Sequence, residues 1–186
     1  MKKNTFLLSA LALLFCTGTA AAQTITPQDK ILVAYYSKSG NTKEIATQIS
    51  NALQADIFAI EPAAAYPDDY KQLTEQAKKE ISDGIRPALK NQPQNLAQYD
   101  VIFVGSPCWW GTIATPVATF LAENNLSGKK IVPFMTHGGS GLGHSMADIK
   151  KLAPDATLID GQAFWGRSAK NAAEDVNDWV KGLQND

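Results

Sequence analysis

From residue 31 onward the chain alternates short apolar runs with stretches whose apolar residues recur at helical spacing. Ile31-Leu32-Val33-Ala34-Tyr35-Tyr36 is an unbroken apolar run, as expected of a strand buried on both faces. Asn41 to Leu53 then carries Ile45, Ile49 and Leu53 every four residues, which puts them on one helical face. Asp56 to Ile60 reads as a second strand. A longer excursion, residues 61 to 98, follows. Within it Pro67-Asp68-Asp69 signals a helix start, and Tyr70, Leu73, Ala77 and Ile81 give that helix its apolar face. Pro87 and Pro93 keep the rest irregular.

The alternation resumes with a third strand, Val101 to Val104, and a third helix from about Thr115 to Ala122 with Pro116 near its first position. Ile131 to Met135 is the fourth strand, Met146, Ile149 and Leu152 mark the fourth helix, and Thr157-Leu158-Ile159 begins the fifth strand. Ala172, Val176, Trp179, Val180 and Leu183 form a closing helical stripe. Strand and helix in alternation predict an α/β fold, with parallel strands joined by right-handed crossovers. Five such strands make an open doubly wound sheet in three layers. Ligands in these sheets bind beyond the carboxyl ends of the strands, near the point where strand order reverses. The loops after strands one, three and four are therefore the ones to inspect.

Loop one, Ser37-Lys38-Ser39-Gly40-Asn41-Thr42, joins strand one directly to a helix. Free N–H groups at a helix N-terminus favour an anion, and small hydroxyl and amide side chains add donors, so the chemistry suits a terminal phosphate. The same residues would also serve as a plain helix cap, through Ser39 or Asn41. The Gly-Lys-Ser/Thr ending of a nucleoside-triphosphate loop is missing. Loop three, Ser106-Pro107-Cys108-Trp109-Trp110-Gly111-Thr112, holds adjacent Trp residues that cannot both face a core in an extended segment. One is expected at the rim as a stacking platform for a planar ligand and the other packed below, with Trp109 the closer to the ligand. Loop four, Thr136-His137-Gly138-Gly139-Ser140-Gly141-Leu142-Gly143, is glycine-rich enough to bring backbone against a ligand. It fails the dinucleotide fingerprint, because His144 stands at the third glycine position and the loop follows strand four. Gly143-His144-Ser145-Met146-Ala147 imitates a hydrolase elbow, but no His follows Ser145, as the triad order requires. Two His and one Cys, widely spread, do not make a metal cluster.

In sequence the three loops together resemble the flavodoxin family. Ser37-Lys38-Ser39-Gly40-Asn41-Thr42 is similar to that family's phosphate motif, Ser/Thr-x-Ser/Thr-Gly-Asn-Thr. Pro107 to Gly111 and Thr136 to Gly141 resemble the flavin-flanking loops of a Trp-Trp-Gly subfamily, as does the stretch from Glu61-Pro62 through Tyr66-Pro67 to Arg86-Pro87. The resemblance implies strand order 2-1-3-4-5 and FMN held without a covalent bond; the flavodoxin fold is the standard example of that order, with FMN at its switch point. It implies that Ser37, Ser39, Gly40, Asn41 and Thr42 hold the phosphate. Pro107, Cys108, Trp109, Trp110 and Gly111 would cover one side of the isoalloxazine, and Thr136, His137, Gly138, Gly139 and Ser140 would meet its pyrimidine edge or other side. The flavin would perform the chemistry, and the protein would set its electronics and access.

Composition changes this picture at the N-terminus. Lys2 and Lys3, the apolar run Phe6 to Phe15, and Ala20-Ala21-Ala22 have the layout of a cleavable export signal. The expected mature domain is 23–186, periplasmic or secreted, with no membrane segment after the signal is removed. Cleavage would leave 15 basic against 18 acidic residues, which gives no footprint for nucleic acid. It would also leave Cys108 alone, without an internal disulfide partner. Electron-carrying flavodoxins are as a rule strongly acidic and cytoplasmic, and neither flavin loop here carries a carboxylate. The expected function is an FMN redox protein with a redox partner of unknown identity, acting in electron transfer or flavin-dependent reduction. The alternative is a binding module of this fold that has lost its cofactor.

Overall fold

The computed structural model describes residues 24–184. The expected export signal, residues 1–22, lies outside them. Strand β1 (Ile31–Tyr35) runs into helix α1 (Asn41–Leu53), followed by β2 (Asp56–Ala59) and α2 (Tyr70–Asp83). Next come β3 (Val101–Trp109), the short β4 (Thr112–Ile113), α3 (Thr115–Glu123) and β5 (Lys130–His137). The chain closes with α4 (Ser145–Leu152), β6 (Thr157–Leu158), β7 (Gln162–Trp165), a 3-10 turn (Gly166–Asn171) and α5 (Ala173–Gly182).

The sheet is parallel in the order β2-β1-β3-β5-β6, and β7 also pairs with β5. β6 and β7 are two halves of one interrupted strand. Between Ile131↔Leu158 and Phe134↔Gln162 the register advances three positions on β5 and four on its partner. The extra residue is taken up beside Pro133, which has no N–H to offer the ladder. With the two halves counted as one strand and the β4 hairpin set aside, the order is the expected 2-1-3-4-5.

Period-two alternation along the strands divides the core between the two faces. Val33, Phe103, Val132 and Phe134 pack under α1 and α5, against Ile45, Ile49, Val176 and Val180. Leu32, Ala34, Ile102, Val104 and Ile131 face the other side, against Phe120 of α3 and Ile149 of α4. Every crossover deposits its loop at the same edge, so the ends of β1, β3, β5 and β7 converge there.

One boundary differs from the sequence expectation in a way that shapes the site. β3 does not stop at Val104 but continues to Trp109 and turns back through β4, with Cys108↔Ile113 and Trp109↔Thr112 paired. Loop three is thus a hairpin rather than an extended segment. Its two-residue turn is Trp110-Gly111, with φ of 52° and 82°. Positive φ at both turn positions is what the right-handed strand twist demands of such hairpins.

Candidate functional site

A cavity of about 550 Å³ opens at the carboxyl ends of the strands, within the usual ~300–1,000 Å³ of a small-molecule site. Loop one contributes Ser39 and Asn41, and loop three contributes Pro107 to Gly111. Loop four contributes Thr136, His137, Gly138 and Ser140. The remaining candidates from the sequence, Ser37, Gly40, Thr42 and Gly139, do not themselves line it. Gly40 caps α1 with φ of 90° and no side-chain hydrogen bond, its own N–H donated to Ser37 Oγ at 3.1 Å. A left-handed cap position suits glycine. Neither Ser39 nor Asn41 caps the helix, so the first-turn N–H groups face the cavity end without a side-chain partner. Thr42 is fully buried, and its hydroxyl shares a 2.7 Å hydrogen bond with the Thr136 hydroxyl. Its side chain ties loop one to loop four.

Loops three and four are stapled together. His144 N–H donates to the Gly111 carbonyl at 2.8 Å. A Cβ on Gly143 would lie 2.0 Å from that same carbonyl oxygen, so no side chain fits there. Behind the staple, Asp148 of α4 accepts from Thr112 Oγ1 at 2.7 Å, meets His144 Nδ1 at 2.6 Å and pairs with Lys151 at 3.1 Å. Burial pushes the Asp148 carboxyl up, but these hydrogen bonds and charges outweigh it and hold the carboxyl below its ordinary value of 3.8.

The two Trp residues occupy different worlds, and the structure reverses the expected packing. Trp109 ends β3 and is the one packed below, half-buried and edge-on to Tyr36 at 5.6 Å and Tyr66 at 5.0 Å. Beneath it the Tyr66 hydroxyl donates to Glu80 at 2.6 Å, and Thr115 also donates to that carboxylate at 2.6 Å. Burial, then the bond to Glu80, pushes the Tyr66 phenol far above its usual range, so it stays a neutral donor. Trp110, at the hairpin tip, is 54% exposed. Its Nε1 donates to the Thr74 carbonyl of α2 at 3.0 Å, and Lys78 lies over its ring at 4.9 Å. The cause is strand pairing: Trp109 takes an inward ladder position, while the turn conformation throws Trp110 outward.

In loop four the His137 Nδ1 accepts the Gly139 N–H at 3.0 Å, so Nε2 carries the ring proton and is a donor at the cavity wall. Ser140 Oγ donates to Cys108 Sγ at 3.1 Å, linking two residues of the cavity lining.

Sequence reasoning missed two walls. Tyr70, Leu73, Thr74 and Ala77 of α2 line the cavity, and Tyr70 is 78% exposed. Tyr70, Leu73 and Ala77 belong to the apolar face expected of this helix, which the pattern alone directs at the core, whereas Thr74 was not part of it. Gly166 and Arg167 also line it, from the turn after β7. The signal available was the carboxyl end of the fifth strand, which lies at the same end of the sheet as the loops after strands one, three and four. Taken together the lining contains Arg167 and His137 but no carboxylate. Backbone donors at one end, aromatic surface at the other and a neutral-to-positive wall fit a planar aromatic ligand carrying a phosphate.

Comparison with known proteins agrees with this geometry. The sequence profile of the flavodoxin family matches residues 30–183. A protein of Bacteroides eggerthii taken to be a flavoprotein superposes with a TM-score of 0.74 at 33% identity, over 83% of this chain and 98% of that one. A Lactobacillus acidophilus flavoprotein, solved in complex with FMN, superposes with a TM-score of 0.66 at 24% identity, over 77% of this chain and 97% of its own. An NAD(P)H dehydrogenase (quinone) of Chromohalobacter salexigens is 29% identical over 97 residues, 49% of this chain and 45% of the relative. The match thus spans under half of that relative's length.

Proposed function

The chain belongs to the flavodoxin family, and on that premise we propose that it is an FMN-binding redox protein of the Trp-Trp-Gly subfamily. One observation carries the reading: a single cavity joins the uncapped N-terminus of α1 to the Trp109-Trp110 hairpin, with no carboxylate in its lining. A phosphate belongs at the first end and an isoalloxazine at the second. FMN, when bound, supplies reversible one- and two-electron chemistry. The protein's own residues bind, orient and shield it. Ser39, Asn41 and the first-turn N–H groups would hold the phosphate. Trp110 would offer its exposed ring, Trp109 backs the hairpin against Tyr36 and Tyr66, and His137 would meet the flavin at its pyrimidine edge or other side.

An acid-free wall leaves a reduced flavin unopposed by negative charge. This favours reduction of a small acceptor over service as a low-potential carrier. The partial likeness to an NAD(P)H dehydrogenase (quinone) supports the same choice. Adding FMN to apoprotein should give a shifted flavin spectrum and quenched Trp emission; a spectrum identical to free FMN would favour a fold that has lost its cofactor. Anaerobic addition of NADH or NADPH should then bleach the bound flavin if the protein is a reductase. We also propose that residues 1–22 are an export signal, which intact-mass measurement of protein from the exporting host would show as their loss.

A further inference from the structure

Resting on the FMN reading, we infer that Arg167 is the ionic partner of the FMN phosphate. A phosphate monoester carries nearly two negative charges, and loop one meets it with neutral donors alone. The loop's one cation is committed elsewhere: Lys38 Nζ donates to the Tyr66 carbonyl at 2.9 Å and pairs with Asp68 at 2.6 Å. Arg167 is the Lys or Arg side chain that lines the cavity, together with Ser39 and Asn41 of loop one.

Its placement is built rather than incidental. A Cβ on Gly166 would stand 2.9 Å from Asn41 Nδ2 and 3.5 Å from the His137 carbonyl. The turn therefore packs directly on the phosphate loop, and the next residue emerges beside it. The Arg167 guanidinium rests on the Trp165 ring at 4.6 Å, and that ring lies 4.7 Å from His137. Stacking of this kind orders a guanidinium while leaving its N–H groups free in the plane. Among the described residues no carboxylate lies within ion-pair distance of it. An ordered, unpaired cation on a turn that packs against the start of α1 can complete a dianion site there, and the planar fork can take two phosphate oxygens at once.

The test is titration of apoprotein with FMN and with riboflavin, which differ by the phosphate, using the parent, Arg167→Gln and Arg167→Lys. Arg167 is exposed, so neither variant threatens the fold. Arg167→Gln should bind FMN roughly tenfold more weakly and riboflavin unchanged, with Arg167→Lys in between. Added salt should weaken FMN more in the parent than in Arg167→Gln. Equal losses for both flavins, or no loss for FMN, would overturn the assignment while leaving FMN binding intact. A parent that binds no FMN would overturn the cofactor reading itself, and this inference with it.

Discussion

At the loop-one end of the cavity the wall is mostly backbone; at the hairpin end it is mostly side chain. Gly40 in a left-handed cap presents the α1 N–H groups, and the hydroxyls of Thr42 and Thr136 clamp the loop from behind. The positive φ at that end falls on Gly40, which adopts it at no steric cost, and a helix N-terminus is an anion site by construction. The hairpin end is held differently. Trp110 sits at φ of 52°, in a turn where Asn or Gly is the comfortable residue. A non-glycine residue in that region costs about 1–2 kcal/mol. The exposed ring that results is pinned to α2 through Thr74. The contrast teaches that one end of the site comes free with the fold, whereas the other is maintained against the backbone's preference.

The sharpest way to break the hairpin end is at its staple. Gly143→Val should destabilise the protein by roughly 3 kcal/mol or more, since the new Cβ collides with the Gly111 carbonyl. Thermal unfolding measures this. A loss under 1 kcal/mol would mean that loops three and four are not locked together.

The Trp pair should split by property. Trp109→Ala removes a half-buried ring from the Tyr36–Tyr66 cluster and should cost about 2–3 kcal/mol of stability. Trp110→Gly relieves the positive φ while losing only the Thr74 bond and an exposed stack. Its stability should stay within about 1 kcal/mol of the parent, with a weaker flavin complex. Urea unfolding beside flavin titration separates the two; equal destabilisation would show that Trp110 is a packing residue.

The smallest effect concerns pH. Asp148 has a folded pKa depressed below 3.8, so its contribution to stability is present above that value and is lost as pH falls through the folded pKa. Asp148→Asn should lower the urea midpoint at pH 7, and the gap to the parent should narrow as pH falls below 3.8. A gap that does not narrow with falling pH would assign the loss to packing rather than charge.

The layers and strand order were legible because each buried strand reads as an apolar run and each helix as a periodic stripe. Loop one was legible because its polar residues sit where a strand must become a helix. The hairpin was not: the run Ser106-Pro107-Cys108-Trp109-Trp110 lacks the Asn-Gly signal of a two-residue turn, and a Trp in that turn contradicts propensity. The α2 wall was hidden for another reason. Tyr70 and Leu73 carry the periodicity of a core face, and sequence does not say whether such a face meets the sheet or a ligand cavity. Arg167 follows a strand that Pro133 interrupts, which obscured where that strand ends.

The most direct test of the account is a crossed titration. FMN and riboflavin are each added to the parent, to the double variant Ser39→Ala/Asn41→Ala, and to Trp110→Ala, and the quenching of protein fluorescence is followed. The double variant should lose about 1–3 kcal/mol of FMN affinity and keep its riboflavin affinity. Trp110→Ala should weaken both flavins alike, by about 1 kcal/mol. A double variant that loses both flavins equally, or a parent that binds neither, would contradict the placement of phosphate at one end of the cavity and ring at the other.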